Sequence, residues 1–135
     1  MRGRTMERLD RDECIKLMER HPACVGRVAL AGPRPVIFPV NYAIDRGNVV
    51  FRTDPGTKFD AAVHESYVAF EADWVGPSWQ IGWSVVVRGQ AHVVTGPEEL
   101  QRVRRLPLLP CAEGDKEKFV SVDTMLISGR RFNGG

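Results

Sequence analysis

The chain reads as one mainly β domain, a closed or nearly closed antiparallel barrel of about six strands with a few short helices over its openings. Three observations predict it. Short runs rich in Val, Ile and Phe recur between clusters of Gly, Pro, Asn and Asp. The helical patterns between them are too short to be the crossovers of a doubly wound parallel sheet, which take about a dozen residues each. The longest β run, 81–95, carries Gly82 and Gly89, where a long barrel strand would bend or bulge.

The elements follow in order. Asp10 and Glu13 form a capping pair, and Cys14, Leu17 and Met18 recur at helical spacing, predicting a short helix that ends near His21-Pro22 and lids the barrel. Strands are predicted over 24–32, 35–44 and 47–53. The last two are joined by Asp45-Arg46-Gly47-Asn48, where Gly47 and Asn48 tolerate the positive φ of a tight reversal. Residues 58–64 have room for no more than two helical turns. Residues 66–74 and 81–95 resume strand patterning. Pro97, followed by Glu98 and Glu99, opens a helix to about Arg105. An aperiodic loop covers 106–118, and 119–132 reads as one last strand with a Gly-Arg-Arg turn.

Size and charge exclude several classes. The 135 residues suffice for a single domain over 1–135 and leave no room for a second. With 19 basic against 17 acidic side chains, the net charge of +2 gives no broad footprint for nucleic acid. The local candidates, Arg2, Arg4 and Arg8 and then Arg102, Arg104 and Arg105, are explained by a frayed terminus and a solvated helix face. Cys14, Cys24 and Cys111 form an odd set without a CxxC pair, and no signal peptide precedes them, so reduced thiols in a cytoplasm are expected. No apolar stretch approaches the roughly twenty residues of a membrane span. His21, His64 and His92 are too scattered to make a metal site. No Ser-His-Asp set or close carboxylate pair offers an acid, base or nucleophile.

The most informative segment is FRTDPGTKF, Phe51 to Phe59. It drops from Val49, Val50 and Phe51 into a turn bent by Pro55-Gly56, and that turn gathers Arg52, Thr53, Thr57 and Lys58. Two cations, two hydroxyls and free backbone N–H groups are the chemistry that holds a phosphate dianion. The spacing is not G-x-x-x-x-G-K-[ST], so an ATPase phosphate loop is a poor reading. Solvated charges beside a tight turn would give the same residues.

Taken together, ECIKLM, GRVAL, PVNYAI, VFRTDPGTK, VAFEAD and GWSVVVRGQA resemble the pyridoxamine 5′-phosphate oxidase-like family of flavin-binding split-barrel proteins. The match spans about residues 9 to 95, and the FRT…GTK turn and GWSVVVRG strand are its most specific parts. The resemblance implies a six-stranded antiparallel split β-barrel, a homodimer and a flavin at the subunit interface. It implies that Arg52, Thr53, Thr57 and Lys58 hold the flavin phosphate, with Phe51 beside them among the cofactor-binding residues. Val40, Asn41 and Tyr42 would run beside the ring, with the Asn41 amide on its polar edge, or they form an ordinary hairpin strand. Trp83 and Ser84 would complete the cradle from the partner subunit, although Trp74, Trp79 and Trp83 also suit a core or a dimer seam.

FMN is expected over the deazaflavin F420, whose longer anionic tail would need further cations such as Arg27 or Arg34. The resemblance departs from true pyridoxamine phosphate oxidases at the end of the chain. Those proteins are longer and carry late basic residues for a substrate phosphate, whereas here only Arg130 and Arg131 stand in, and solvation in a fraying tail explains both. The expectation is therefore a flavin-dependent oxidoreductase of unknown small-molecule substrate. A non-catalytic flavin-binding or storage module is the alternative.

Overall fold

A computed structural model describes residues 5–20, 25–108 and 118–134. The strands are β1 (Thr5–Leu9), β2 (Val25–Leu30), β3 (Val36–Asp45), β4 (Asn48–Thr53), β5 (Tyr67–Val75), β6 (Ile81–Val93), β7 (Lys118–Val122) and β8 (Leu126–Asn133). Helix α1 spans Arg11–Arg20, α2 Lys58–Val63 and α3 Pro97–Val103.

Every strand pairing is antiparallel. The order β6-β5-β2-β3-β4-β7 closes on itself because the end of β6 pairs with β7, giving the six-stranded barrel. The first part of β6 pairs on that same edge with β8 instead, over Ile81–Arg88, and β1 extends the sheet beyond β8. One edge of β6 is thus shared between two partners, and Gly89 stands at the changeover. A Cβ there would lie 2.7 Å from the Asp123 carbonyl carbon and closer still to its oxygen, so only glycine lets the strands approach.

Alternation drives the closure. Along β6, Val85, Val87 and Ala91 face the core and Val86 and Arg88 face outward. Val28, Tyr42, Val49, Phe51, Phe70, Val120 and Val122 fill the rest of the interior. Helix α1 covers one opening with Cys14, Leu17 and Met18, its start fixed by a capping box in which Glu13 N donates to Asp10 Oδ1 at 2.9 Å and Asp10 N to Glu13 Oε1 at 3.3 Å. Burial, with Asp10 and Glu13 nearby, pushes the Cys14 thiol pKa up. Helix α3 packs Val103 with Val50, Val94 and Phe119 on the outer side of β4 and β7, and Arg102 Nε holds Asp45 at 2.8 Å.

Four expectations are corrected. The 119–132 run is two strands, β7 and β8, because residues 123–125 carry the chain from the barrel to the sheet extension. Residues 5–9 are a strand rather than a frayed end, each paired with β8. Arg130 and Arg131 consequently lie in a paired strand, and Arg131 Nη2 reaches Glu7 at 3.2 Å and Glu13 at 3.5 Å. The hairpin's positive φ angles fall on Arg46 (50°) and Gly47 (80°), since a two-residue loop leaves Asn48 as the first residue of β4. Arg2, Arg4, His21, Cys24 and Cys111 lie outside the described residues.

Candidate functional site

The turn between β4 and α2 is built by side chains that bond back onto it. Thr57 caps α2: its Oγ1 accepts from Asp60 N at 3.1 Å and donates to the Asp54 carbonyl at 2.9 Å. Gly56 takes φ 84°, the left-handed region, with open space where a Cβ would stand, so backbone conformation alone selects glycine. Asp60, only 6% exposed, faces back into the turn. Its carboxylate accepts from Thr53 Oγ1 at 2.9 Å, Gly56 N at 3.1 Å and Lys118 Nζ at 3.0 Å. Burial pushes its pKa up, but the Lys118 ammonium, the Gly56 N–H and the Thr53 hydroxyl outweigh burial and hold it below the usual carboxylate value. Phe59 anchors α2 to the barrel, stacked on Phe38 with centroids 4.3 Å apart and on Phe51 at 5.9 Å.

A cavity of about 270 Å³ opens beside this turn. It brings together Val40, Asn41, Arg52, Thr53 and Thr57, five of the residues expected to hold a cofactor, and adds Pro39, Asp54 and Phe59. The Arg52 guanidinium lies 5.4 Å from the Phe119 ring centre, a cation–π distance that orients it. Lys58 is exposed at the first position of α2, at the edge of the same turn. Tyr42 and Phe51 are directly paired and fully buried, so their side chains belong to the barrel core and do not line the cavity. Tyr42 meets Phe70 edge-on at 5.0 Å.

Trp83 and Ser84 lie elsewhere. Trp83 is paired opposite Trp74 and borders a separate cavity of about 450 Å³ near Leu17, Arg20 and Phe132, while Trp79 stands in the β5–β6 connection, 73% exposed. Ser84 lies on the outer face of the sheet in a third concavity, of about 460 Å³, with Arg8 and Arg130. Within one chain neither residue meets the turn. Arg27 is engaged on the outer barrel face, 2.9 Å from Glu71 and 3.5 Å from Asp73. Burial, then the neighbouring Asp73 carboxylate, pushes the Glu71 pKa up to about 7 against the opposing pull of Arg27. Among the described residues, no cluster of three or more His, Cys, Asp or Glu is arranged to hold a metal, and no helix is long and apolar enough to cross a membrane.

Sequence reasoning missed Asp60 and Lys118. Asp60 had a signal, since Thr57-Lys58-Phe59-Asp60 is a capping pattern with the acid three residues after the cap. Lys118 had none, because it is 58 residues away and reaches the turn only through the pairing of Thr53 with Lys118 between β4 and β7.

The geometry can be set beside known proteins. A family model described as pyridoxamine 5′-phosphate oxidase matches residues 10–131. The uncharacterized protein Rv0080 of Mycobacterium tuberculosis is 36% identical over 135 residues, covering 96% of this chain and 87% of that protein. Among solved structures, a FAD binding protein from Mycobacterium smegmatis superposes with a TM-score of 0.84 at 35% identity, over 96% of this chain and 100% of the other. A conserved protein of unknown function, DIP1874 from Corynebacterium diphtheriae, gives a TM-score of 0.76 at 32% identity, over 94% of this chain and 98% of its own. On its barrel and on these matches, the chain belongs to the pyridoxamine 5′-phosphate oxidase family and has the split-barrel fold.

Proposed function

We propose that this protein binds a flavin through the β4–α2 turn and acts as a homodimeric flavin-dependent oxidoreductase on a small molecule. The observation that carries the reading is the cavity in which Asn41, Arg52 and Thr57 converge; Lys58 does not line it but is exposed next to Thr57, at the first position of α2. These groups fit one end of a flavin nucleotide: a guanidinium and an ammonium for the phosphate, an amide for a polar edge and Val40 for an apolar face. The flavin would supply hydride or electron transfer, and the chain's own residues would bind and orient it.

FMN is preferred over F420. Arg27, one of the cations a long anionic tail would need, is taken up by Glu71 and Asp73. FAD belongs in the same test, because the similar M. smegmatis protein is described as binding it. A cavity of about 270 Å³ is below the roughly 300–1,000 Å³ of ligand pockets, so one chain would enclose only part of the cofactor. A second copy would wall the rest and bring Trp83 and Ser84 to it. Beside the cavity, Val25 is paired with Asn41 and is 52% exposed, and Ile37 is 66% exposed, an apolar rim that such a copy would cover. The free, buried Cys14 suits a reducing cytoplasm.

The test is spectroscopic. The protein is purified, equilibrated with FMN, FAD and F420 in turn, and desalted. Retained visible-blue absorbance from FMN in a dimer-sized species is the expected result, and uptake of F420 alone would refute the FMN assignment. Reoxidation of the reduced, bound flavin faster than free flavin by some acceptor in a broad panel is expected of an oxidoreductase. No acceleration across the panel would leave a flavin-binding module as the better description.

A further inference from the structure

We propose that Asp60 is a positioning residue for the anion site, one that sets the shape of the turn without touching the ligand; this rests on the flavin-phosphate reading above. Its carboxylate grips the turn before and within its bend, through Thr53 Oγ1 and Gly56 N, and ties it to β7 through Lys118 Nζ, while its own N–H bonds Thr57 Oγ1.

The arrangement divides labour within the turn. The Thr53 hydroxyl proton points at Asp60 and the Thr57 hydroxyl proton at the Asp54 carbonyl, so both hydroxyls donate into the protein. The Gly56 N–H is likewise directed at Asp60. Donors toward an anion are then the outward cations, Arg52 and Lys58. An acid so near a phosphate site would by itself repel the ligand, but Lys118 lies 3.0 Å from the carboxylate and offsets its charge. Asp60 and Lys118 thus form a locally neutral brace that fixes the backbone from which Arg52 and Lys58 project.

Asp60→Asn keeps the size but removes the charge that Lys118 neutralises and leaves one acceptor oxygen for the three donors Thr53 Oγ1, Gly56 N and Lys118 Nζ. The experiment measures FMN and riboflavin affinities by fluorescence quenching for the wild type and this variant. Riboflavin lacks the phosphate, so it reads the ring site without the turn. The expected result is that Asp60→Asn weakens FMN at least tenfold and leaves riboflavin within twofold. A variant that keeps the wild-type preference for FMN, or loses both ligands equally, would overturn the positioning role. A wild type that binds the two equally would instead overturn the phosphate reading itself, and the positioning role with it. Should Asp60→Asn fail to fold, Thr53→Val removes a single tether and carries the same prediction at threefold or more.

Discussion

The Asp60 carboxylate and the Lys118 ammonium, 58 residues apart in the chain, meet at 3.0 Å and tie the β4–α2 turn to the last strand of the barrel. Lys118→Met removes the cation from an acid that is 6% exposed. At neutral pH this is expected to cost about 1–3 kcal/mol in denaturant unfolding. The sign of the pH effect follows from the lowered pKa of Asp60. Its contribution is fully present above the unfolded carboxyl value near pH 4 and is lost as pH falls through the lower folded value. The gap between wild type and variant should therefore narrow in acid.

Lys58→Ala is expected to weaken FMN binding by roughly 1.5–3 kcal/mol, tenfold or more, through loss of one charge-assisted contact. Lys58 is exposed and makes no bond that holds the turn, so the melting temperature without ligand should stay within a degree or so of wild type. Titration calorimetry and a thermal scan together check this.

At the changeover between β7 and β8, Gly89→Ala forces a methyl into the Asp123 carbonyl. The neighbour is backbone and cannot swing aside, so the cost should reach about 3 kcal/mol or more. Failure to express, or a large fall in the denaturant midpoint, is the expected outcome. A midpoint near that of wild type would show that the β6–β7 closure is looser than described.

Glu71 gives the opposite pH signature to Asp60. Its pKa is raised to about 7, so the folded chain binds a proton that the unfolded chain has released. Stability is therefore lost as pH rises from the ordinary value near 4.5 to about 7. Glu71→Gln should flatten the stability profile in that window while leaving Arg27 paired with Asp73.

The barrel was legible because its strands obey a period of two and are bounded by turn residues. β2 to β6 follow from Val, Ile and Phe alternation, and α1 from its capping box. The break between β7 and β8 was not legible, since FVSVDTMLISGRRF carries no Gly or Pro where the chain changes sheets. β1 was hidden because TMERL is polar and mostly exposed, and only its pairing with β8 makes it a strand. At the site, Arg52, Thr53 and Thr57 were readable from local spacing. Their division into binding and bracing groups was not, because it depends on Asp60 and on a cation delivered by strand register. Trp83 and Ser84, which the resemblance groups with the turn, lie apart from it within one chain and border other cavities.

The central claim is that the cationic turn grips the phosphate end of a flavin, and a crystal structure of the protein grown with excess FMN tests it most directly. The account predicts a dimer with phosphate oxygens at about 3 Å from the Arg52 guanidinium and the Lys58 ammonium. FMN seated elsewhere, with those two side chains directed into bulk water, would contradict it.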